Sequence, residues 1–348
     1  MSEIVTLEEI RAARDRIAGV AVRTPLYRLE RARLRIAMHP EPEFDIYIKA
    51  ESEQPIGSFK LRGAYNMVAQ LSPEALRRGV ITYSSGNHAQ GVAYAARALG
   101  SKAVIVMPDN APAIKQTATA ALGAEIVLVG PASSERKLKA EELADKFGYT
   151  IIPPYDHPHI IAGQATCGLE IVEQLPNVDV VISPVSGGGL LSGIATAVKL
   201  SAPHVKVWGA EPALAADAKE SFETKTLVEW PAEKTTRTIG DGLRTQSLGT
   251  LNFEHILRYV DGIVAITEDE IFAAMRLMLT VTRLVPEPSG AVTLAAALYH
   301  AEKMGLKGGR KVAVVLSGGN LEPTLKSRLT DEIATGQAHE GQLSQNAP

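Results

Sequence analysis

The stretch "VDVVISPVSGGGLLSGIATAVKL", residues 178–200, contains the pattern that decides the fold. Its first part, 178–186, is a short run rich in Val and Ile, which is typical of a strand buried on both faces of a parallel sheet. A glycine loop at 186–193 follows, and the segment 190–201 has the periodicity of a helix. A strand, a glycine loop and a helix in succession are the repeating unit of an open, doubly wound α/β sheet.

The same unit recurs along the chain, whose 348 residues leave room for about two domains. Runs rich in Val and Ile predict further strands at 44–50, 80–84, 102–108, 124–130, 149–154, 205–212, 262–267 and 311–319. Amphipathic stretches between them predict helices at 87–99, 112–122, 133–147, 160–175, 268–282 and 290–303. We therefore predict an α/β protein with two open, doubly wound domains whose sheets are mostly parallel.

The composition excludes several classes of function. The net charge is -3, with 36 basic and 39 acidic residues well mixed, so we expect no nucleic-acid partner, which would need a clustered basic face. Cys167 is the only cysteine, which rules out an intrachain disulfide and fits a cytoplasmic location. Residues 1–20 lack the pattern of a signal peptide, and no uncharged apolar run is long enough to predict a membrane span.

Three of the predicted strand ends carry unusual loops. They are "SSGNHAQG" (84–91), "SGGGLLSG" (186–193) and "SGGN" (317–320). Because open parallel sheets bind ligands at the carboxyl ends of their strands, we expect these loops to converge on one site.

A lysine in an unexpected position adds to this site. In "GSFKLRGAYN" (57–66), Lys60 follows a Gly-Ser turn at the point where a helix is about to begin. The start of a helix carries partial positive charge and favours anions over a lysine side chain. Lys60 is therefore either an ordinary surface residue or a reactive residue next to an anion.

The glycine loop has two functional interpretations. The backbone N–H groups of Gly187, Gly188, Gly189 and Leu190 could enclose a phosphate at the start of a helix. Alternatively, the glycines with Glu211, about 20 residues further on, resemble a dinucleotide fingerprint and predict an NAD-binding Rossmann dehydrogenase. A tight turn without a ligand is less favoured, since consecutive glycines are costly in chain entropy. The dinucleotide interpretation explains neither Lys60 nor the other two loops.

A single phosphate-bearing aldehyde cofactor would use all of these features. Lys60 could form a Schiff base and act as a base if burial and neighbouring charges lower its pKa. Ser317 ends a strand where it could face a pyridine nitrogen. The start of the helix at 87–99 is an anion site suited to an amino-acid carboxylate. The candidate substrate-binding residues there are Ser84, Ser85, Gly86, Asn87 and His88.

The motifs "GSFKLRGAYN", "SSGNHAQGVAYAA", "SGGGLLSGIA", "EPSGA" and "LSGGN" resemble, in order and spacing, the fold type II pyridoxal-phosphate enzymes. They are most similar to the serine/threonine dehydratase (threonine ammonia-lyase) and serine racemase group, over roughly residues 5–325. The resemblance implies a lyase, related in fold to the tryptophan synthase beta chain, that removes water from L-threonine or L-serine to give a 2-oxo acid and ammonia. Serine racemase and 3-hydroxyaspartate dehydratase are the alternatives within the group.

We expect a homodimer with a large cofactor-binding domain, residues 1–80 and 159–325, and a small domain, residues 81–158, that closes over the substrate. Residues 326–348 are predicted to be a C-terminal tail.

The resemblance also assigns roles to single residues. Lys60 resembles the Schiff-base lysine, and Phe59 the residue that packs against the cofactor ring. Asn87 resembles the residue that binds the ring hydroxyl, and Glu287 the acid near the ring edge. Ser85 resembles the acid/base serine that lies opposite the lysine in serine racemase.

Two further positions distinguish members of the group. Glu211, the carbonyl of Ala215 and Asp217, in "EPALAAD", match the site that binds a divalent cation, Mg²⁺ or Ca²⁺, in serine racemase-like members. Tyr155, in "PPYDHPHIIAGQ", stands where serine racemase has an asparagine. An aromatic residue there is more similar to threonine dehydratase, so the resemblance implies dehydration rather than racemisation as the main activity.

Overall fold

Two separate, mainly parallel sheets form the framework of the protein. The computed structural model describes residues 4–37, 41–84, 86–111, 113–130 and 133–335. The strands are β1 (Leu26–Arg28), β2 (Asp45–Ala50), β3 (Val80–Thr82), β4 (Ala103–Pro108), β5 (Glu125–Val129), β6 (Thr150–Ile151), β7 (Val180–Pro184), β8 (Lys206–Pro212), β9 (Gly262–Ile266) and β10 (Lys311–Leu316). One sheet has the order β1-β2-β10-β7-β8-β9 and the other β5-β4-β3-β6. Only the β1–β2 pair among these strands is antiparallel.

Helices cover both faces of each sheet. They are α1 (Leu7–Ile17), α2 (Arg31–Ala37), α3 (Lys60–Val68), α4 (Pro73–Arg78), α5 (Asn87–Ala98), α6 (Ala113–Ala121), α7 (Ser133–Phe147), α8 (Pro158–Gln174), α9 (Gly189–Ser201), α10 (Asp217–Thr224), α11 (Ala232–Thr235), α12 (Thr250–Tyr259), α13 (Glu268–Val281), α14 (Pro288–Tyr299) and α15 (Pro323–Ala334). Short 3-10 turns lie at Glu51–Glu53, Ala213–Ala215, Asp241–Leu243 and Glu302–Met304.

The alternation of side chains along the central strands explains this layering, because successive residues of a strand point to opposite faces. Val314 of β10 packs in the core formed with α13 and α14, whereas Val315 packs with α8, α9 and α12. In the smaller sheet, Ile105 of β4 faces α3 and α5, and Val106 faces α7. Both sheets are doubly wound, as the sequence predicts.

Every predicted strand and helix is present, with its ends shifted by a few residues. The strand predicted at 149–154 shrinks to β6, since Pro153 and Pro154 have no N–H to donate to a ladder. The helix predicted at 290–303 is α14, which ends at Tyr299 before a separate 3-10 turn. The sequence did not predict β1, a three-residue edge strand, or the helices α1, α2, α4, α10, α11, α12 and α15.

The segment 326–348 is not all tail. Its first part, to Ala334, belongs to α15. Leu329 of this helix is fully buried in the core beside α13 and fixes the helix to the larger sheet's core. Residues 336–348 lie outside the described residues. The four-stranded sheet comes from residues 80–151 and the six-stranded sheet from the sequence before and after it. The division into a small and a discontinuous large domain stays a prediction. Within the described ranges, none of the helices has the length and apolar character needed to cross a membrane.

Candidate active site

The segment before α3 lies against the end of β10, at the carboxyl end of the larger sheet. Ser58 forms an isolated antiparallel bridge with Gly318, and the N–H of Phe59 donates to the carbonyl oxygen of Ser317 at 3.0 Å. This pairing brings the residue before Lys60 against Ser317, which is 2% exposed. The loop 317–320 is thereby joined by backbone hydrogen bonds to the segment that contains Lys60.

Lys60 is the first residue of α3, and although the whole residue is half-buried, its amine is desolvated. Nζ donates to the carbonyl oxygen of Pro154 at 2.8 Å. Desolvation lowers the pKa of Lys60 from its ordinary value to about 8, against the opposing effect of the Glu287 carboxylate. Burial disfavours the charged form of an amine. Lys60 therefore has an uncharged fraction at a pH where an exposed lysine is almost fully protonated.

Asn87, Glu287 and Asn320 form a hydrogen-bonded group near this lysine. Nδ2 of Asn87 donates to both carboxylate oxygens of Glu287, at 2.9 and 3.1 Å. Nδ2 of Asn320 donates to Oδ1 of Asn87 at 2.7 Å, which fixes the direction of that amide. Burial, followed by the charge of Asp241, raises the pKa of Glu287 to about 7, although the hydrogen bond from Asn87 opposes the rise. Asn87 and Glu287, from distant motifs, therefore act as one unit.

The turn before Lys60 is shaped around Asn320. Gly57 has a φ of +72°, a conformation that favours glycine, and a Cβ there would clash with the side chain of Asn320. Nδ2 of Asn320 also donates to the carbonyl oxygen of Ile56 at 2.9 Å. Asn320 is the last residue of the motif "LSGGN", but the sequence assigns it no role, because its position next to Gly57 depends on the fold.

The glycine loop lies at the end of β7 and leads into α9. Gly188 is the N-cap with a φ of 98°, so Gly189 and Leu190 begin the helix, whose first N–H groups have no partner within the helix. The ring of Tyr155 lies where a Cβ on Gly187 would be, so only glycine allows this approach. Backbone N–H groups at the start of a helix, on glycines that carry no side chains of their own, fit a phosphate, and here they are buried beneath the Tyr155 ring.

The predicted substrate-binding residues lie at the start of α5. Oγ of Ser84 accepts a hydrogen bond from the N–H of Gly86 at 3.3 Å, and Gly86 is the N-cap without a capping side chain. Ser85 lies outside the described residues. The His88 ring is buried with Nε2 3.0 Å from the carbonyl oxygen of Ile152. Burial and the charge of Lys60 lower the pKa of His88 to about 3, so the ring is neutral. The backbone N–H of His88, rather than its ring, is what this arrangement offers to a carboxylate.

The proposed cation ligands come together after β8. Glu211 and Asp217 are buried, and Ala215 lies in the turn between them. Oε1 of Glu211 accepts from the N–H of Lys219 at 2.6 Å, but Oε2 of Glu211 and Oδ2 of Asp217 are buried without a hydrogen-bond partner. Burial raises the pKa of Glu211 well above its ordinary value and that of Asp217 to about 7. Unpaired buried carboxylate oxygens fit a hard cation, although among the described residues no third acidic, histidine or cysteine side chain joins the pair.

An ion pair near Glu287 was not predicted from the sequence. Nζ of Lys115, from α6, lies 2.6 Å from Oδ2 of Asp241. Asp241 begins a turn whose next residue, Gly242, donates its N–H to Oγ of Ser289 at 2.9 Å. No short-range pattern predicts this pair, since its members lie far apart in sequence.

Comparisons with known proteins agree with this geometry. Residues 17–318 match the family described as "Pyridoxal-phosphate dependent enzyme". The chain is 40% identical over 333 residues to the L-threonine ammonia-lyase of Thermotoga maritima, covering 94% of this chain and 79% of the relative. It is 41% identical over 277 residues to the L-threo-3-hydroxyaspartate ammonia-lyase of Saccharomyces cerevisiae, covering 80% and 83%. The crystal structure of serine racemase from Dictyostelium discoideum superimposes with a TM-score of 0.83 at 37% identity, covering 92% of this chain and 100% of that one. The resemblance found in the motifs is confirmed, and the chain belongs to the pyridoxal-phosphate dependent enzyme family.

Proposed function

We propose that this protein removes water from L-threonine, L-serine or a related 3-hydroxy-amino acid and releases a 2-oxo acid and ammonia. The observation that carries the proposal is a lysine amine with a pKa of about 8, Lys60, in a segment whose backbone pairs with Ser317 at one end of a sheet that also holds a glycine loop fit for a phosphate. The two ammonia-lyases that are about 40% identical to this chain support the same reaction class.

The residues of this chain fit pyridoxal phosphate at named points. The N–H groups of the loop from Gly187 to Leu190 would hold the phosphate, and Lys60 would carry the aldehyde carbon. Phe59, next to the lysine, would pack against the ring, Asn87 and Glu287 would lie at its edge, and Ser317 would face its nitrogen. When bound, the cofactor withdraws electrons from the α-carbon of the amino acid.

The chain itself supplies binding and proton transfer. The N–H groups at the start of α5 hold the substrate carboxylate, with the hydroxyls of Ser84 and Ser85 nearby in sequence. The uncharged amine of Lys60 takes the α-proton, which suits a base whose pKa is near the working pH. The Cβ–O bond then breaks, and the hydroxyl group leaves as water by taking up the proton that Lys60 had accepted. The enamine released takes up water to give the 2-oxo acid and ammonia. A neutral hydroxyl at the ring nitrogen, Ser317, makes the ring a weaker electron sink than a carboxylate partner would. It therefore favours loss of the β-hydroxyl over reprotonation of the α-carbon.

Racemisation is the second candidate activity, because a serine racemase structure covers nearly the whole chain. A racemase needs a second acid or base on the opposite face of the α-carbon, and Ser85 is the candidate that the motifs provide. Tyr155, packed on the glycine loop where serine racemase has an asparagine, supports dehydration as the main activity.

The dinucleotide interpretation loses its main support. Glu211 is fully buried, so it does not present a carboxylate to a ribose at the end of β8. The family match also favours pyridoxal phosphate over NAD.

We further propose that Glu211, Asp217 and the carbonyl of Ala215 bind Mg²⁺ or Ca²⁺, which would supply a partner for the two unpaired carboxylate oxygens. A homodimer in the cytoplasm completes the proposal; the buried state of Cys167 is compatible with a reducing compartment.

The test is turnover of a panel containing L-threonine, L-serine, L-threo-3-hydroxyaspartate and phenylserine, with the 2-oxo acid and ammonia measured separately. We expect equal amounts of both products from at least one substrate, dependent on added pyridoxal phosphate. A protein that binds the cofactor but releases neither product from any of them would overturn the proposal.

A further inference from the structure

The segment 153–156, between β6 and α8, touches two parts of the site at once. The carbonyl oxygen of Pro154 accepts the hydrogen bond from Nζ of Lys60 at 2.8 Å. The ring of the next residue, Tyr155, lies against Gly187 in the glycine loop. The position of this segment therefore sets both the direction of the lysine amine and the cover over the phosphate cradle.

Asp156, the next residue, is exposed and makes no contact of its own with Lys60 among the described hydrogen bonds. Its carboxylate instead accepts three backbone N–H groups at the start of α12: Oδ2 from Thr250 at 3.1 Å, and Oδ1 from Leu251 at 3.0 Å and Asn252 at 3.4 Å. A carboxylate at this end of a helix satisfies N–H groups that lack a partner and matches the partial positive charge there.

The start of α12 is also tied to the glycine loop. The N–H of Gly249, the N-cap of α12, donates to the carbonyl oxygen of Gly187 at 3.0 Å. When the Asn252 amide is turned so that its nitrogen faces these acceptors, that nitrogen donates to the same oxygen at 3.1 Å and to Oδ1 of Asp156 at 3.2 Å. Asp156 thus links the two parts of the site. Its own segment contacts Lys60 through Pro154, and the start of α12, which Asp156 binds, contacts Gly187.

We propose that Asp156 is a positioning residue for the reaction: by fastening the segment 153–156 to α12, it holds the Pro154 carbonyl against Lys60 and the Tyr155 ring against the glycine loop. The proposal rests on the function given above for Lys60 and the loop. Small displacements matter at such sites, because a shift of about 1 Å in a reacting group can cost about 100-fold in rate.

Asp156 could make the same hydrogen bonds if it only capped α12 and had no effect on the site. The test must therefore separate capping alone from positioning of the site. Asp156→Ala removes the acceptor, and Asp156→Asn keeps one acceptor oxygen without the charge. The matched control is Ser72→Ala, which removes the capping acceptor of α4, where Oγ of Ser72 accepts the N–H of Ala75 at 3.1 Å, away from the glycine loop.

Three quantities are measured for each purified holoenzyme: kcat and KM for the best substrate, the pH at which the visible absorbance of the lysine-bound cofactor titrates, and, after removal of the cofactor, the Kd for inorganic phosphate. For Asp156→Ala we expect a loss in kcat of about 10- to 100-fold, a displaced spectral titration and weaker phosphate binding. Asp156→Asn should be intermediate, and Ser72→Ala should match the wild type in all three.

The proposal is overturned if both Asp156 variants keep the wild-type spectral titration and phosphate Kd, or if Ser72→Ala changes them equally. If Asp156→Ala does not fold, Asp156→Asn decides alone, and unchanged values for it overturn the proposal. A failure of the proposed function has a different appearance, since the wild type itself would then release no 2-oxo acid while the phosphate and spectral comparisons could still be made.

Discussion

The raised pKa of Glu287 allows a quantitative prediction of how stability depends on pH. The carboxyl group is 5% exposed and accepts two hydrogen bonds from Asn87, but burial raises its pKa from the ordinary 4.5 to about 7. At about 1.4 kcal/mol for each pKa unit, this rise corresponds to roughly 3 kcal/mol of folding free energy.

The sign follows from which state holds the proton. Between pH 4.5 and about 7 the folded protein keeps Glu287 protonated, whereas the unfolded chain has lost that proton. The free energy of unfolding therefore falls as the pH rises through this window, and the whole decrease is present above pH 7. Glu287→Gln cannot titrate, so the variant lacks this fall.

The assay is urea unfolding of cofactor-free wild type and Glu287→Gln at a series of pH values from 4.5 to 8. We expect the free energy of unfolding of the wild type, relative to that of the variant, to decrease by about 3 kcal/mol across the series. Glu302→Gln, on an exposed turn, is the control for replacing a glutamate as such. A difference between wild type and Glu287→Gln that stays constant with pH would refute the reasoning, because it would mean that burial does not raise this pKa.

Three other predictions concern single groups of the site. Lys60→Ala should lower elimination by more than about 10⁴-fold, since both the attachment point and the base are lost; a variant that keeps a tenth of the turnover in the 2-oxo acid assay would assign the chemistry elsewhere. Removal of divalent cations by a chelator should lower the Tm of the wild type, with recovery on addition of Mg²⁺ or Ca²⁺, but should leave Glu211→Gln unaffected; a wild type that contains no metal by elemental analysis and melts unchanged would exclude the site. Ser85→Ala should abolish formation of D-serine from L-serine and leave most of the pyruvate, as measured by chiral chromatography and a pyruvate assay; an equal loss of both products would show that elimination also depends on Ser85.

Much of the fold could be predicted because it rests on local patterns. The continuous apolar runs that became β7 and β10 are long enough to identify buried strands, and the glycines at 187–189 mark the turn between a strand and a helix. Shorter elements gave weaker signals. The edge strand β1 has three residues, and α11 has four, which is too few for any periodicity to be visible.

The site was predicted only where a motif is continuous in sequence. Lys60 and the glycine loop stand out by themselves, because a lysine at a helix start and three successive glycines are both unusual. The contacts of Asn320 with Asn87, of Lys115 with Asp241 and of Asp156 with α12 join residues that are remote in sequence. Such pairs depend on how the sheets and helices come together, and the sequence carries no local sign of them.

Reductive trapping of the cofactor tests the central claim most directly. Borohydride should reduce the bond between pyridoxal phosphate and its lysine, and the modified lysine should then resist trypsin. The account predicts a labelled peptide covering residues 50–62, "AESEQPIGSFKLR", in which the uncut Lys60 carries the phosphopyridoxyl group. Recovery of the unmodified peptide 50–60 with the label on a different lysine, or on none, would contradict it.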